Sequence, residues 1–182
     1  MRHCFSKKTK CKKKYIVYDI FLYFCTVKNK GVNKVCEQLR LDNQLCFRLY
    51  TAARLITGVY HPYLGPLGLT YPQYLVMLVL WEDDCQPVCD IARRIMLDTN
   101  TVTPLLQRME KSGLLTRAKS GGDARQRIVS LTAKGASMME KAAHIPECLG
   151  SEIIRRTGCG DDLLKMIPTL DNLIDGLKQI KQ

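Results

Sequence analysis

The sequence predicts a mainly α-helical protein carrying one small β-hairpin, and three observations lead there. From about residue 36 onward, apolar residues recur every three or four positions, the period of amphipathic helices. Between residues 114 and 132 that period gives way to two short strand-like runs on either side of Gly121-Gly122-Asp123. The chain has 182 residues, 46% of them apolar and 25% charged, the balance of one folded domain with an appendage rather than of a disordered chain. No apolar run reaches the roughly 20 residues of a spanning helix, which argues against a multi-span membrane protein.

The charge is unevenly spread. Of a formal +11, residues 1–40 carry most, with 11 Lys and Arg against 2 Asp and Glu. Residues 1–35 therefore read as a basic N-terminal extension, expected to be disordered or not part of the native protein, and 36–182 as the domain proper. The basic run Lys7–Lys14 ahead of the apolar Tyr15–Val27 is only superficially a signal peptide: Asp19 interrupts it and no small-residue cleavage site follows. Within the domain, residues 88–134 hold 9 basic and 4 acidic side chains, a local footprint suited to a polyanion. The 9 cysteines are odd in number and irregularly spaced, which argues against a disulfide scaffold and for a reducing, cytoplasmic setting.

Each element follows from local chemistry. Leu41, Leu45, Leu49, Ala52, Ile56 and Tyr60 share one helical face, and His61-Pro62 with Gly65-Pro66-Leu67-Gly68 breaks that helix. Tyr71–Trp81, almost wholly apolar, reads as a buried helix. Val88–Met96 reads as a short helix with Arg93 and Arg94 on one side. Asp98-Thr99-Asn100 supplies caps for a helix running to Lys111 or Ser112, with Gly113 as its stop. Leu114–Lys119 and Arg125–Thr132 form the hairpin. A long helix from Ala133 is expected to kink or break at Pro146. In the last helix Leu163, Ile167, Leu170, Ile174 and Leu177 make a heptad-like seam able to pair with another helix.

Helix, short helix, capped helix and basic hairpin are the parts of a winged helix-turn-helix. A helix presenting short polar side chains at its N-terminal end can enter a major groove. Thr99, Asn100, Thr101, Thr103, Gln107 and Arg108 are the DNA-contacting candidates on that helix, with Val102, Leu105, Leu106 and Met109 turned to the core. Arg125, near the hairpin tip, suits an adjacent minor groove. An ordinary solvated helix and hairpin would share much of this pattern.

The stretches 43–50, 69–82 and 97–110, with Asp123-Ala124-Arg125 in the wing, resemble the MarR family of transcription regulators. Gln44-Leu45-Cys46-Phe47 and Thr70-Tyr71-Pro72-Gln73-Tyr74 resemble, more narrowly, its organic hydroperoxide sensors. The resemblance covers about residues 36–180. It implies a homodimer with interlocked terminal helices, bound to a pseudo-palindromic double-stranded DNA operator. It also implies that Cys46 is the redox sensor, with Tyr50, Tyr60 and Tyr71 at the positions of the tyrosines that surround the reactive sulfur and reach it across the dimer interface. An organic hydroperoxide would be the oxidant.

A cysteine flanked by Leu45 and Phe47 is, on composition alone, more often buried and inert than reactive. The second thiol stays open. Some of these sensors carry a resolving cysteine after the wing, and Cys148 lies one helical turn before the expected place, nearer Ser151. Either Cys148 or a small cellular thiol would cap oxidised Cys46. Cys85 and Cys89 do not form a Cys-x-x-Cys pair, and no metal site or cofactor is expected; no role is assigned to them or to Cys159. Two competing readings remain: a repressor released by a small aromatic ligand, with Cys46 structural, and, remotely, a thiol peroxidase. Against the peroxidase, position 43 is Asn where a Thr is usual, and the chain is not expected to be an enzyme.

Overall fold

The computed structural model describes residues 39–119 and 126–180. Contacts divide the chain into two units, Met1–Ile56 and Thr57–Gln182. The expected boundary at residues 35/36 and the wing residues Asp123, Ala124 and Arg125 lie outside the described residues.

A 3-10 turn, Leu41–Asn43, precedes helix α1, Leu45–Val59. The sequence pattern places Leu41 on the same helix, but the backbone at Arg40 and Gln44 is extended, so the α-helix begins four residues later. The expected break at His61-Pro62 is instead the start of a short helix, α2, His61–Leu64, with Pro62 in its first turn, where its missing N–H costs nothing. A second 3-10 turn, Gly65–Leu67, ends on Gly68 at φ +67°, a backbone conformation that glycine adopts without strain.

Helix α3, Tyr71–Glu82, is the predicted apolar helix and forms the centre of the core. Its start is fixed by Gln73, whose Oε1 accepts both the Thr70 backbone N–H (2.8 Å) and the Thr70 hydroxyl (3.1 Å). Tyr74, Val76, Met77, Val79 and Leu80 are buried, while Leu78 stays exposed. Strand β1, Gln86–Pro87, leads into α4, Val88–Arg94, and then α5, Thr99–Lys111. Strands β2, Leu115–Lys119, and β3, Arg127–Leu131, complete an antiparallel sheet in the order β1-β3-β2. The sequence predicts two of these strands. The third pairs Gln86 with Val129 and Pro87 with Ile128, and its proline is tolerated because β1 is an edge.

Helix α6, Ala133–Ala142, springs directly from β3. Its cap residue, Thr132, accepts the Gly135 N–H at its hydroxyl (3.1 Å) and donates that hydroxyl to the Gly113 carbonyl (2.7 Å). A Cβ built on Gly135 would sit 2.0 Å from the Leu114 carbonyl oxygen, so only glycine permits this approach. Trp81 of α3 donates its indole N–H to the Gly135 carbonyl at 3.0 Å. The break expected at Pro146 falls just before it, at Ala143 and His144. Pro146 then occupies the first turn of α7, Ile145–Thr157. Helix α8, Gly160–Ile180, runs through Pro168 without ending.

Candidate nucleic-acid interface and sensor cysteine

Helix α5 separates its faces as the sequence predicts. Val102, Leu105, Leu106 and Met109 are buried, whereas Thr99, Asn100, Thr101, Gln107 and Arg108 are exposed. Thr103 is half-buried, and its hydroxyl donates to the Thr99 carbonyl at 2.8 Å, so its hydrogen is committed to the helix. Asp98 stands at the cap position, but its side chain makes no capping hydrogen bond; its carbonyl accepts Thr101 and Val102 N–H at 2.8 and 3.0 Å. Pro104 lies inside the helix and has no N–H to offer, which leaves the Asn100 carbonyl without its ordinary helical donor. An exposed end with free hydroxyl, amide and carbonyl groups, backed by an apolar face, is suited to polar contact with a groove.

Short turns hold α5 in place. Met96, between α4 and α5, sits at φ +57°, and Cys85, ahead of β1, at φ +60°, both in the left-handed region that non-glycine residues avoid. Asp84 steadies the second turn by accepting the Leu131 N–H at 2.9 Å, and the Ser130 hydroxyl donates to the Cys85 sulfur at 3.3 Å. At the other end Glu110 accepts three hydrogen bonds from Arg117 of β2: from its backbone N–H (3.1 Å), Nε (3.0 Å) and Nη2 (2.7 Å). These bonds, with the Arg117 charge, hold the Glu110 carboxyl below the usual carboxylate range. Arg93 pairs with Asp90 at 2.9 Å and Arg94 with Glu82, so both cations of α4 are already neutralised.

Cys46 is the second residue of α1 and its thiol is free and exposed. Tyr50, one turn on, is exposed as well. Tyr60 and Tyr71 are brought together in the second unit, their rings 4.8 Å apart, and Tyr74 joins them 5.8 Å from Tyr60. Sequence reasoning missed Tyr74; its place on the apolar helix α3 marked it only as core. Burial, then the neighbouring phenols, pushes Tyr60 and Tyr74 above the usual tyrosine range, so both stay protonated and able to donate. Cys148 lies in the first half of α7, free and exposed, as are Cys85, Cys89 and Cys159. Among the described residues no group of three or more His, Cys, Asp and Glu could hold a metal ion, and no helix is long and apolar enough to cross a membrane.

An apolar groove of about 260 Å³ runs between α3 and the α6–α7 junction, lined by Tyr74, Leu78, Trp81, Met139 and Pro146 among others. Helices α1 and α8 bury none of their side chains. In the predicted seam of α8, Leu163 and Leu170 are half-buried and Ile167, Ile174 and Leu177 are exposed.

Residues 69–126 match the family described as MarR. The chain is 41% identical over 143 residues to the organic hydroperoxide resistance transcriptional regulator of Bacillus subtilis strain 168, covering 79% of this chain and 95% of that one. Among solved structures it is similar to reduced AbfR bound to DNA, with a TM-score of 0.64 and 35% identity over 80% of this chain and 98% of the other. It is also similar to disulfide-formed AbfR, with a TM-score of 0.55 and 37% identity over 76% and 95%. AbfR is a protein of Staphylococcus epidermidis. These neighbours share the mainly helical, winged architecture that the sequence predicts.

Proposed function

The chain belongs to the MarR family of transcription regulators, and from that premise we propose that it is a redox-sensing repressor. It binds a pseudo-palindromic operator as a homodimer when reduced, and leaves it when an organic hydroperoxide oxidises Cys46. The observation that carries the reading is an exposed thiol at the start of a helix that buries none of its own apolar face. It is supported by a group of packed tyrosines elsewhere in the chain, among which burial raises Tyr60 above the usual tyrosine range and keeps it protonated.

In this reading the folded part acts from about residue 36, in a reducing cytoplasm, and α1 and α8 find in a second copy the apolar partner they lack in one chain. Exposed Leu45, Phe47, Ile56, Ile167 and Ile174 would be covered there. Two copies of α5 then meet successive major grooves about 34 Å apart. Thr99, Asn100, Thr101, Gln107 and Arg108 contact bases and phosphates. Thr103 contributes its methyl group and lone pairs, since its hydrogen is used within the helix. Arg125 reaches the minor groove from the wing.

Across the dimer, the Tyr60 and Tyr71 hydroxyls donate to the Cys46 sulfur and favour the thiolate, the nucleophilic form, with Tyr50 one turn from the sulfur on its own helix. The thiolate attacks the terminal oxygen of the hydroperoxide. The O–O bond breaks, an alcohol leaves after taking up a proton, and a sulfenic acid remains. A second thiol then condenses with it, forming a disulfide and releasing water. That thiol is Cys148 or a small cellular thiol. The relative AbfR, seen in a disulfide form, lends weight to disulfide formation as the final state.

The test is binding to a duplex selected from a random pool by the reduced wild type, with and without cumene hydroperoxide. Oxidation should weaken wild-type binding about a hundredfold, equal to about 3 kcal/mol. Cys46→Ser should bind and ignore the oxidant. Tyr60→Phe and Tyr71→Phe should bind but react more slowly. Cys148→Ser should keep the response if a small thiol caps Cys46, and shorten it if Cys148 is the partner. Normal release of Cys46→Ser on oxidation would overturn the redox reading. It would favour a repressor released by a small aromatic ligand, for which the groove beside Tyr74 and Trp81 offers an apolar, aromatic lining.

A further inference from the structure

The hairpin leaves the core quickly. Leu115, at the start of β2, is buried, Arg117 is half-buried and Lys119 is exposed. Strand β2 borders β3 alone, so its outer edge is open, and alternate backbone N–H groups along that edge point away from the ladder. The covalent link from α5 to β2 is a short turn through Gly113, at φ +70°. A turn and a buried first residue make a pivot, and Arg117 lies two residues of strand, about 7 Å, beyond it.

At Arg117 the open edge is fastened to α5. Oε1 of Glu110 accepts the Arg117 backbone N–H (3.1 Å), and Oε2 accepts both Nε (3.0 Å) and Nη2 (2.7 Å). One carboxylate thus holds the main chain and the side chain of the same strand residue. Among the described residues no other ion pair joins α5 to the sheet. The helix end that carries Glu110 is itself a fixed post. Ser112 donates its hydroxyl to the Arg108 carbonyl at 3.0 Å, and its carbonyl accepts Nζ of Lys134 in α6 at 2.8 Å. The Glu110 and Arg117 side chains are 35% and 20% exposed, and an ion pair so open to water adds little to stability. What a guanidinium fork on a carboxylate adds is direction. An acidic group on a DNA-binding module also repels phosphate, a standing cost to affinity for any duplex.

We propose that Glu110 is a positioning residue for operator recognition: through Arg117 it sets the tilt of the hairpin against α5, so that both elements fit one duplex together. The assignment rests on the DNA-binding reading above. The strut acts close to the pivot, and Lys119, about twice as far out, moves twice as far for the same tilt. Slack at Glu110 therefore leaves α5 intact and loosens its register with the hairpin. The loss falls on discrimination between sequences, because only a matched duplex rewards both elements at once.

The experiment uses the full chain, a duplex selected by the wild type from a random pool, and a scrambled duplex of equal length. Glu110→Gln keeps the size of the side chain, but its amide nitrogen cannot accept a hydrogen bond from the guanidinium. It should bind the selected duplex about tenfold more weakly, while affinity for the scrambled duplex holds or rises because a negative charge is gone. Arg117→Gln should lower the ratio of selected to scrambled affinity as much. The double variant should lower it no further than either single variant, because the two residues act as one unit. All three should melt near the wild-type temperature. Affinity for the selected duplex that holds or rises in Glu110→Gln overturns the assignment, since Glu110 is then a source of repulsion alone. So does an equal loss on both duplexes together with a much lower melting temperature, which marks a structural pair. A double variant whose loss of discrimination is the product of the single losses also overturns it. A wild type that fails to select any duplex defeats the DNA-binding reading itself, a result distinct from the others.

Discussion

Helices α3 and α5 and helices α1 and α8 draw on the same apolar residues and end in opposite states. Val76, Met77, Val102, Leu106 and Met109 are fully buried around the centre of the winged module. Each such side chain contributes about 1.5–3 kcal/mol by leaving water. Helix α1, of 15 residues, and α8, of 21, bury none, and Leu164, Ile167, Leu177 and Ile180 are all more than half exposed. The first set completes a core within one chain. The second set has the periodicity of a core and lacks the other half, which is the pattern of an element that a second copy completes. In the homodimer proposed above, the winged module is joined to helices whose packing depends on association.

The sharpest way to break that contrast is to truncate one side chain from each set. Leu106→Ala opens a cavity among fully buried neighbours and should cost about 2–5 kcal/mol, measured by urea unfolding. That loss should be the same at any protein concentration. Ile167→Ala, 52% exposed in the single chain, should leave the unfolding of the module unchanged. It should instead lower Tm only at concentrations where the wild type associates, and flatten the dependence of Tm on concentration, since dimer association stabilises by mass action. A loss for Ile167→Ala as large as that for Leu106→Ala, and independent of concentration, would place α8 within the core of one chain and end the comparison.

Gly135 sharpens the contrast from the rigid side. Its Cα lies against the Leu114 backbone, and an added methyl group would meet the carbonyl oxygen at 2.0 Å with no flexible side chain to yield. Gly135→Ala should therefore cost about 3 kcal/mol, at the upper end of overpacking effects. The same contact joins the turn after α5 to the first turn of α6, where Lys134 also donates to the Ser112 carbonyl at 2.8 Å. DNA affinity should fall with stability, because the shift displaces the end of α5. Retained affinity at reduced Tm would show that α5 and α6 are less tightly joined than this contact implies.

What the sequence made legible was local. The apolar run of α3, the polar end and glycine stop of α5, and the turn chemistry between β2 and β3 are each written within a dozen residues. Features that depend on distant pairing were not. Strand β1 is two residues long and exists because Gln86 and Pro87 meet Val129 and Ile128. Lys119 and Arg127 face each other only once the register is known. Tyr74 looks like any core residue until Tyr60 and Tyr71 converge on it. The helix break at Ala143 and His144 was misplaced because a proline in the first turn of a helix looks, in sequence, like a proline that ends one. For the proposed sensor, the sequence singles out Cys46 through its flanking motif, while the tyrosines proposed to meet it come from a second copy and so leave no local pattern beside it.

Met96 offers the finest comparison, between two turns of the winged module. The turn after α5 passes through Gly113 at φ +70°, whereas the turn before α5 passes through Met96 at φ +57°. The two backbones are nearly alike, but only the glycine is free of the clash between Cβ and carbonyl oxygen, about 1–2 kcal/mol for an ordinary residue. The Met96 side chain is 57% exposed and recovers little of that cost by packing. Met96→Gly should relieve the strain while adding freedom to the unfolded chain, for a net gain of up to about 1 kcal/mol by urea unfolding. DNA affinity should stay within about twofold, because Met96 precedes the exposed end of α5 and its side chain is not among the contacting candidates. A loss of affinity with unchanged stability would instead show that a stiff residue in this turn is needed to aim α5, and that strain there serves binding rather than opposing it.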